Sequence, residues 1–236
     1  MNNLLGLLRR CVEDYQMITR GERVCVGVSG GKDSLTLLAL MAKLREFYPF
    51  TLLAMSIDMG LGMDFTPVAD YCDTLKVPYT CVHTQIGPII FDYRKEKNPC
   101  SMCAKMRRGA INAQLQAMDC TKIALGHHRD DAVETFLMSL IFEGRLSCFQ
   151  PVTYLDRTGI TQIRPMLYIN EQQVIHFTQA QNLPVLHNPC PADKTTKRQE
   201  IKELIYSLQG TYPELKDRVF GAMQRLPLPM WGVEKK

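Results

Sequence analysis

The sequence predicts an α/β fold: a doubly wound parallel sheet followed by C-terminal helices. Two observations lead there. First, short β-branched or apolar runs, RVCVGV at 23–28, TLLAMSI at 51–57, YTCVH at 79–83 and KIALG at 122–126, alternate with stretches of helical periodicity. Buried strands alternating with helices make a parallel sheet. Second, the turns Ser29-Gly30-Gly31 and Gly126-His127-His128 each stand between such a run and a helical stretch. They therefore fall at the carboxyl ends of strands, the edge at which open parallel sheets hold ligands.

The elements follow in order. Residues 1–20 begin MNNLLGLLRRCVEDYQM, with apolar positions at helical spacing among charges. That pattern predicts an N-terminal helix and lacks the continuous apolar stretch of a signal peptide or membrane span. Residues 21–165 hold the α/β domain, in which Leu37, Leu40, Met41 and Leu44 share one helical face over 33–46. Helical stretches are also expected near 65–76, from the segment Pro99-Cys100, and from near Asp130. Segment 143–165 carries Gly144, Pro151, Gly159 and Pro165 and reads as a connection with one short strand at 161–164. In 166–236 three helical patterns run to about residue 225.

At 236 residues and 46% hydrophobic, the chain is long enough to bury a full core. Its net charge of +4 is too small by itself to indicate a nucleic-acid partner. Nine cysteines, an odd number at uneven spacing, do not describe a secreted disulfide framework. A cytoplasmic protein without a membrane partner is expected, and in a reducing compartment clustered thiols more often bind metal.

The loop Ser29-Gly30-Gly31-Lys32-Asp33-Ser34 joins a strand to a helix. Such a loop offers unpaired amides and the positive end of the helix dipole to an anion. It is not a Walker A loop, because Lys32 is followed by Asp33 and not by Ser or Thr. It resembles the SGGxDS signature of the PP-loop ATP pyrophosphatases, which split ATP between its α and β phosphates. The resemblance implies that Ser29, Gly30, Gly31, Asp33 and Ser34 surround the pyrophosphate and that Lys32 supplies positive charge. It also puts Asp58, at the end of the second strand, near the nucleoside, although an Asp there is as often a helix cap.

In Gly126-His127-His128-Arg129-Asp130-Asp131, two adjacent carboxylates stand at a helix start on the same edge. Mg2+ shared between phosphates and one or two carboxylates suits that placement; a helix cap with an acidic first turn is the plainer reading. The histidines suit proton transfer or simply satisfy backbone groups. A Cys-x-x-Cys pair, Cys100 and Cys103, opens a helix whose dipole should lower thiol pKa. By itself it fits zinc, iron-sulfur, redox or chance. Cys190, in the rigid turn Asn188-Pro189-Cys190-Pro191, is one further plausible ligand, and zinc completed by His187 or another cysteine is the competing reading. Cys25 and Cys120 fall in apolar patterns, and Cys11, Cys72, Cys81 and Cys148 lack a partner motif. Lys105, Arg107 and Arg108 follow the pair, and Lys194, Lys197 and Arg198 follow Cys190, which makes a basic rim for an RNA backbone if the cysteines meet.

Segment LGHHRDDAVET resembles the GHHxDD segment of the TtcA family, the tRNA 2-thiocytidine synthetases within the PP-loop group. The likeness extends over about 20–225, Arg164-Pro165 included. It implies an adenine nucleotide alpha hydrolase-like fold and catalytic roles for Asp33, Asp130, Asp131, Cys100, Cys103 and Cys190. Gly126 and Asp131 join the nucleotide site, and Cys100, Cys103 and Cys190 hold a 4Fe-4S cluster with one open iron. ATP, Mg2+, tRNA, a sulfur donor such as a cysteine desulfurase, and a homodimer complete the expectation. The reaction would adenylate the C2 oxygen of an anticodon-loop cytidine and replace it with sulfur. Two rivals are adenylation with an amine nucleophile, as in lysidine synthetases and amidases, and a metal-dependent RNA-binding protein without turnover.

Overall fold

The structure, a computed structural model, describes residues 2–94, 99–191 and 197–225. Helix α1 (Asn2–Asp14) precedes β1 (Arg23–Gly27), α2 (Lys32–Leu44), β2 (Thr51–Asp58), α3 (Thr66–Thr74) and β3 (Tyr79–His83). A short turn α4 (Ile86–Pro88) leads through a wide turn, Ile89–Tyr93, towards α5 (Pro99–Ala117). Strand β4 (Lys122–Ala124), α6 (Arg129–Met138), β5 (Val152–Leu155) and β6 (Ile160–Ile163) follow. Helices α7 (Glu171–Ala180), α8 (Lys197–Gln209) and α9 (Leu215–Arg225) close the described chain.

The six strands lie in the order β3-β2-β1-β4-β6-β5. Strands β1, β2, β3, β4 and β6 are parallel, with Val24 opposite Leu52 and Val26 opposite both Ala54 and Ala124. The exception is β5, antiparallel to β6, in a segment expected to hold a single strand. Its Val-Thr-Tyr-Leu run is joined to Ile160 by Asp-Arg-Thr-Gly, with Gly159 at φ 67°. A hairpin can turn there because glycine accepts the left-handed conformation.

Alternate residues of the central strands enter two cores. Val24, Val26, Leu52 and Ala54 join the larger, with α1, α2, α6 and α7. Cys25, Leu53 and Met55 join the smaller, with Leu115 of α5. Burial on both faces explains why these strands read as continuous apolar runs. Chain direction around the sheet reverses between β1 and β4, so the crevice above their carboxyl ends is the topological switch point. Among the described residues no helix is long and apolar enough to cross a membrane.

Candidate active site at the sheet switch point

The phosphate loop leaves β1 and starts α2 at Gly31, whose backbone is extended and which lacks a side-chain cap. The first-turn amides are thus left for an anion. A hydroxyl web stiffens the loop: Ser34 Oγ accepts from Ser29 N at 3.1 Å, donates to Gly31 O at 3.0 Å and lies 3.1 Å from Ser29 Oγ. Across the crevice, a Cβ on Gly126 would meet Ser34 N at 3.0 Å and Asp33 O at 3.1 Å, so only glycine lets β4 end so close to the loop. Gly30, at φ 82°, has a second role: a Cβ there would fall 2.8 Å from Leu186 Cδ1. Lys32 Nζ pairs with Asp33 Oδ1 at 2.9 Å and Glu171 Oε1 at 3.2 Å.

His128 caps α6. Its Nδ1 accepts from Asp131 N at 3.3 Å while Asp131 Oδ2 accepts from His128 N at 2.9 Å, a reciprocal capping box. The opposite ring nitrogen, Nε2, lies 3.5 Å from Asp33 Oδ1, so His128 stands between the two acidic motifs. Of the two histidine readings, His128 satisfies the backbone one. The His127 ring packs against Phe149 at a 40° tilt, centres 4.9 Å apart, and its buried Nδ1 has no hydrogen-bond partner among the described residues. Burial, reinforced by the nearby Arg164 charge, pushes its imidazole down to about 4. Arg164 is itself buried, with its guanidinium 4.8 Å from the Phe149 ring centre.

The paired carboxylates divide their work. Asp130 is 3% exposed and both oxygens are committed, one to Lys216 Nζ at 2.6 Å and the other to the amide of Glu171 at 2.7 Å. It is an internal tie between α6, α7 and α9, and its side chain is less exposed than that of Asp131 beside it. Asp131 itself turns towards Asp33 through His128. Its Oδ1 also accepts from Arg198 at 3.1 Å, and Arg198 continues to Glu134 at 3.2 Å and Thr135 at 3.1 Å. Three groups of α6 thus hold the Arg198 guanidinium against the protein, although its side chain is 37% exposed. Lys197 is exposed, with Nζ 4.4 Å from the Phe142 ring centre, while Lys194 lies outside the described residues. Asp58 ends β2 with one oxygen accepting from Gly60 N and the other 2.9 Å from His83 Nδ1. It does not cap α3, whose N-cap is Phe65.

Cys100 is exposed on the first turn of α5, and Cys103 and Cys190 are half-buried. Cys103 lies within electrostatic reach of both Cys100 and Cys190, and Arg107, one turn further along α5, also acts on it. Among the described residues no three His, Cys, Asp or Glu side chains stand within joint ligating distance of one ion. The donor set nonetheless suits soft-metal chemistry, since three thiolates are ligands for iron-sulfur clusters or zinc. The helix dipole does not lower the Cys103 thiol as expected: burial pushes it up, and Arg107 only partly counters this. Lys105, Arg107 and Arg108 are all exposed on α5.

Glu134, Glu171, Lys202 and Lys216 escaped the sequence reading. The capping box Asn170-x-x-Gln173 marks where α7 begins. Nothing local tells that Glu171 meets Lys32 or that Lys216 meets Asp130, since both pairings span long separations.

A capless glycine loop at the switch point, facing an acidic helix start, defines a nucleotide-binding domain of the PP-loop class. The PP-loop domain family model matches residues 7–208. The tRNA-cytidine(32) 2-sulfurtransferase of Pelobacter propionicus is 37% identical over 92% of this chain and 83% of its own length. That of Anaeromyxobacter dehalogenans is 35% identical over 93% of this chain and 78% of its length. The chain belongs to the PP-loop family and, within it, to the tRNA-cytidine(32) 2-sulfurtransferases. A similar fold is found in the U34-tRNA thiolase NcsA from Methanococcus maripaludis, solved with its 4Fe-4S cluster, at TM-score 0.75 and 23% identity over 93% of this chain and 77% of that one.

Proposed function

We propose that this protein is an ATP-dependent tRNA thiolase that exchanges the C2 oxygen of a cytidine in the anticodon loop for sulfur. The observation that carries the reading is the capless phosphate loop at the sheet switch point, in a chain whose relatives are tRNA-cytidine(32) 2-sulfurtransferases. The α2 amides and Lys32 hold the phosphate chain, and Asp131 holds Mg2+. The cytidine C2 oxygen bonds to the α-phosphorus of ATP, the α-β phosphoanhydride breaks, and pyrophosphate leaves against the loop's positive charge. Sulfur then attacks C2, and AMP departs with the original oxygen. Cys100, Cys103 and Cys190 would hold a 4Fe-4S cluster, which supplies an iron to carry the incoming sulfide. Lys105, Arg107, Arg108 and Lys197 face the RNA backbone. A cysteine desulfurase provides the sulfur as a persulfide, a thiol reductant supplies the two electrons that release it at the sulfide level, and the protein works in the cytoplasm as a homodimer.

The test is anaerobic purification with iron, sulfide and zinc analysis, followed by assay of tRNA-dependent AMP release and thiolated cytidine. Asp33→Ala should lose AMP release and thiolation together. Cys100→Ala should lose thiolation and iron. Thiolation retained by either variant overturns the scheme, and zinc in place of iron moves the reaction to an amine nucleophile.

A further inference from the structure

The segment that carries Cys190 is laid across the phosphate loop. After α7, Leu183 is buried and its amide donates to Thr178 O at 3.1 Å, which anchors the start of the segment. Thr178 is in turn 3.1 Å from Thr36 of α2. Three residues on, the Leu186 amide donates to Gly30 O at 2.9 Å, and the Leu186 side chain covers the face of Gly30 where any Cβ would clash. Asn188 Oδ1 then accepts from Cys190 N at 3.2 Å and turns the chain at the cysteine.

We infer that Leu186 is a positioning residue that straps Cys190 to the phosphate loop, so that nucleotide binding and the place of Cys190 are coupled. The inference rests on the proposed roles of the loop and of Cys190. The physical basis is short reach. Four residues from Leu186 to Cys190 span at most about 14 Å when fully extended. Gly30 is held on one side by Leu186 and offers its other contacts to the phosphates. A phosphate chain that shifts or stiffens Gly30 therefore acts on the strap directly, and by linkage the position of the strap acts back on the nucleotide.

The experiment follows iodoacetamide labelling of individual cysteines by peptide mass spectrometry, on the reduced, iron-chelated full-length chain, with and without ATP. ATP should change the labelling rate of Cys190 while leaving Cys100, on α5, unchanged. Leu186→Ala should abolish the ATP effect on Cys190. In the iron-loaded protein at saturating ATP it should yield fewer thiolated cytidines per AMP released, while the ATP concentration for half-maximal AMP release shifts. Leu186→Met, which conserves volume, should restore wild-type behaviour. A merely structural Leu186 would lower AMP release and thiolation together. The inference is overturned if ATP leaves Cys190 labelling unchanged in the wild type, or if Leu186→Ala keeps both the ATP effect and the wild-type yield per AMP. Should Leu186→Ala fail to fold, the wild-type comparison decides alone. A chain that releases AMP but thiolates no tRNA would remove the proposed function, while the labelling would still judge the strap.

Discussion

Glu134 is 1% exposed in the first turns of α6, facing Arg198 and Lys202 as well as the carboxylates Asp131 and Glu171. Burial, with Asp131 and Glu171 adding to it, raises its carboxyl from 4.5 to about 7 despite the two cations. A folded carboxyl that keeps its proton above the unfolded value stabilises most below that value. Its contribution is therefore lost as pH rises from 4.5 to about 7. Asp130 behaves oppositely: burial would raise it, but Lys216 and the Glu171 amide outweigh this and hold it low, so its contribution is lost on acidification. Urea unfolding from pH 4.5 to 7 should show the Glu134 contribution as a decline of up to roughly 3 kcal/mol that Glu134→Gln lacks. An identical pH slope in both proteins would show that folding leaves the Glu134 carboxyl at its unfolded value.

Helices α5 and α8 carry similar basic runs that the fold uses differently. Lys105, Arg107 and Arg108 stand exposed on α5, whereas Arg198 of α8 is spent on Asp131, Glu134 and Thr135. Replacing the three α5 residues together with Ala should weaken tRNA binding and lower the slope of log affinity against log salt by about two to three. Arg198→Ala should leave that slope nearly unchanged and instead lower the melting temperature; a slope change as large as that of the triple variant would return Arg198 to the RNA interface. The contrast shows what was legible. The α5 run and the cysteine pair could be read from spacing, because residues within two turns of one helix share a neighbourhood by geometry alone. Strands β1, β2 and β4 were equally plain from their apolar runs, and the edge strand β3 from its short β-branched run, although none of its residues is fully buried. The destination of Arg198 was hidden, because a charge advertises itself in sequence but its partner does not. Strand β5 was hidden for another reason: its half-exposed Val-Thr-Tyr-Leu run lies between Pro151 and a turn and lacks the apolar signature of its neighbours.

At the scale of the whole molecule, Asp130 is where three helices meet. It belongs to α6, receives the first amide of α7 and pairs with Lys216 of α9, while Arg129 beside it pairs with Asp217. Lys216→Met would leave a buried carboxylate short of its cation, which costs about 3–5 kcal/mol. Urea denaturation should record that loss in one cooperative transition. A loss within about 0.5 kcal/mol, the range of ordinary surface substitutions, would mean that α9 is not tied to the site through this pair. The overall plan was legible because alternation of strand and helix fixes a parallel sheet and its ligand edge. The docking of the C-terminal helices was not, because it depends on single ion pairs such as Asp130 with Lys216.

The jam of Gly126 against the first turn of α2, with the Ser29 and Ser34 hydroxyls knotted beneath it, has a thermodynamic corollary. A cradle already set in its final shape has little disorder left to surrender when a polyphosphate arrives. The heat released by its amide contacts then passes almost undiminished into affinity, and ligands of another shape are refused because the mould does not bend to meet them.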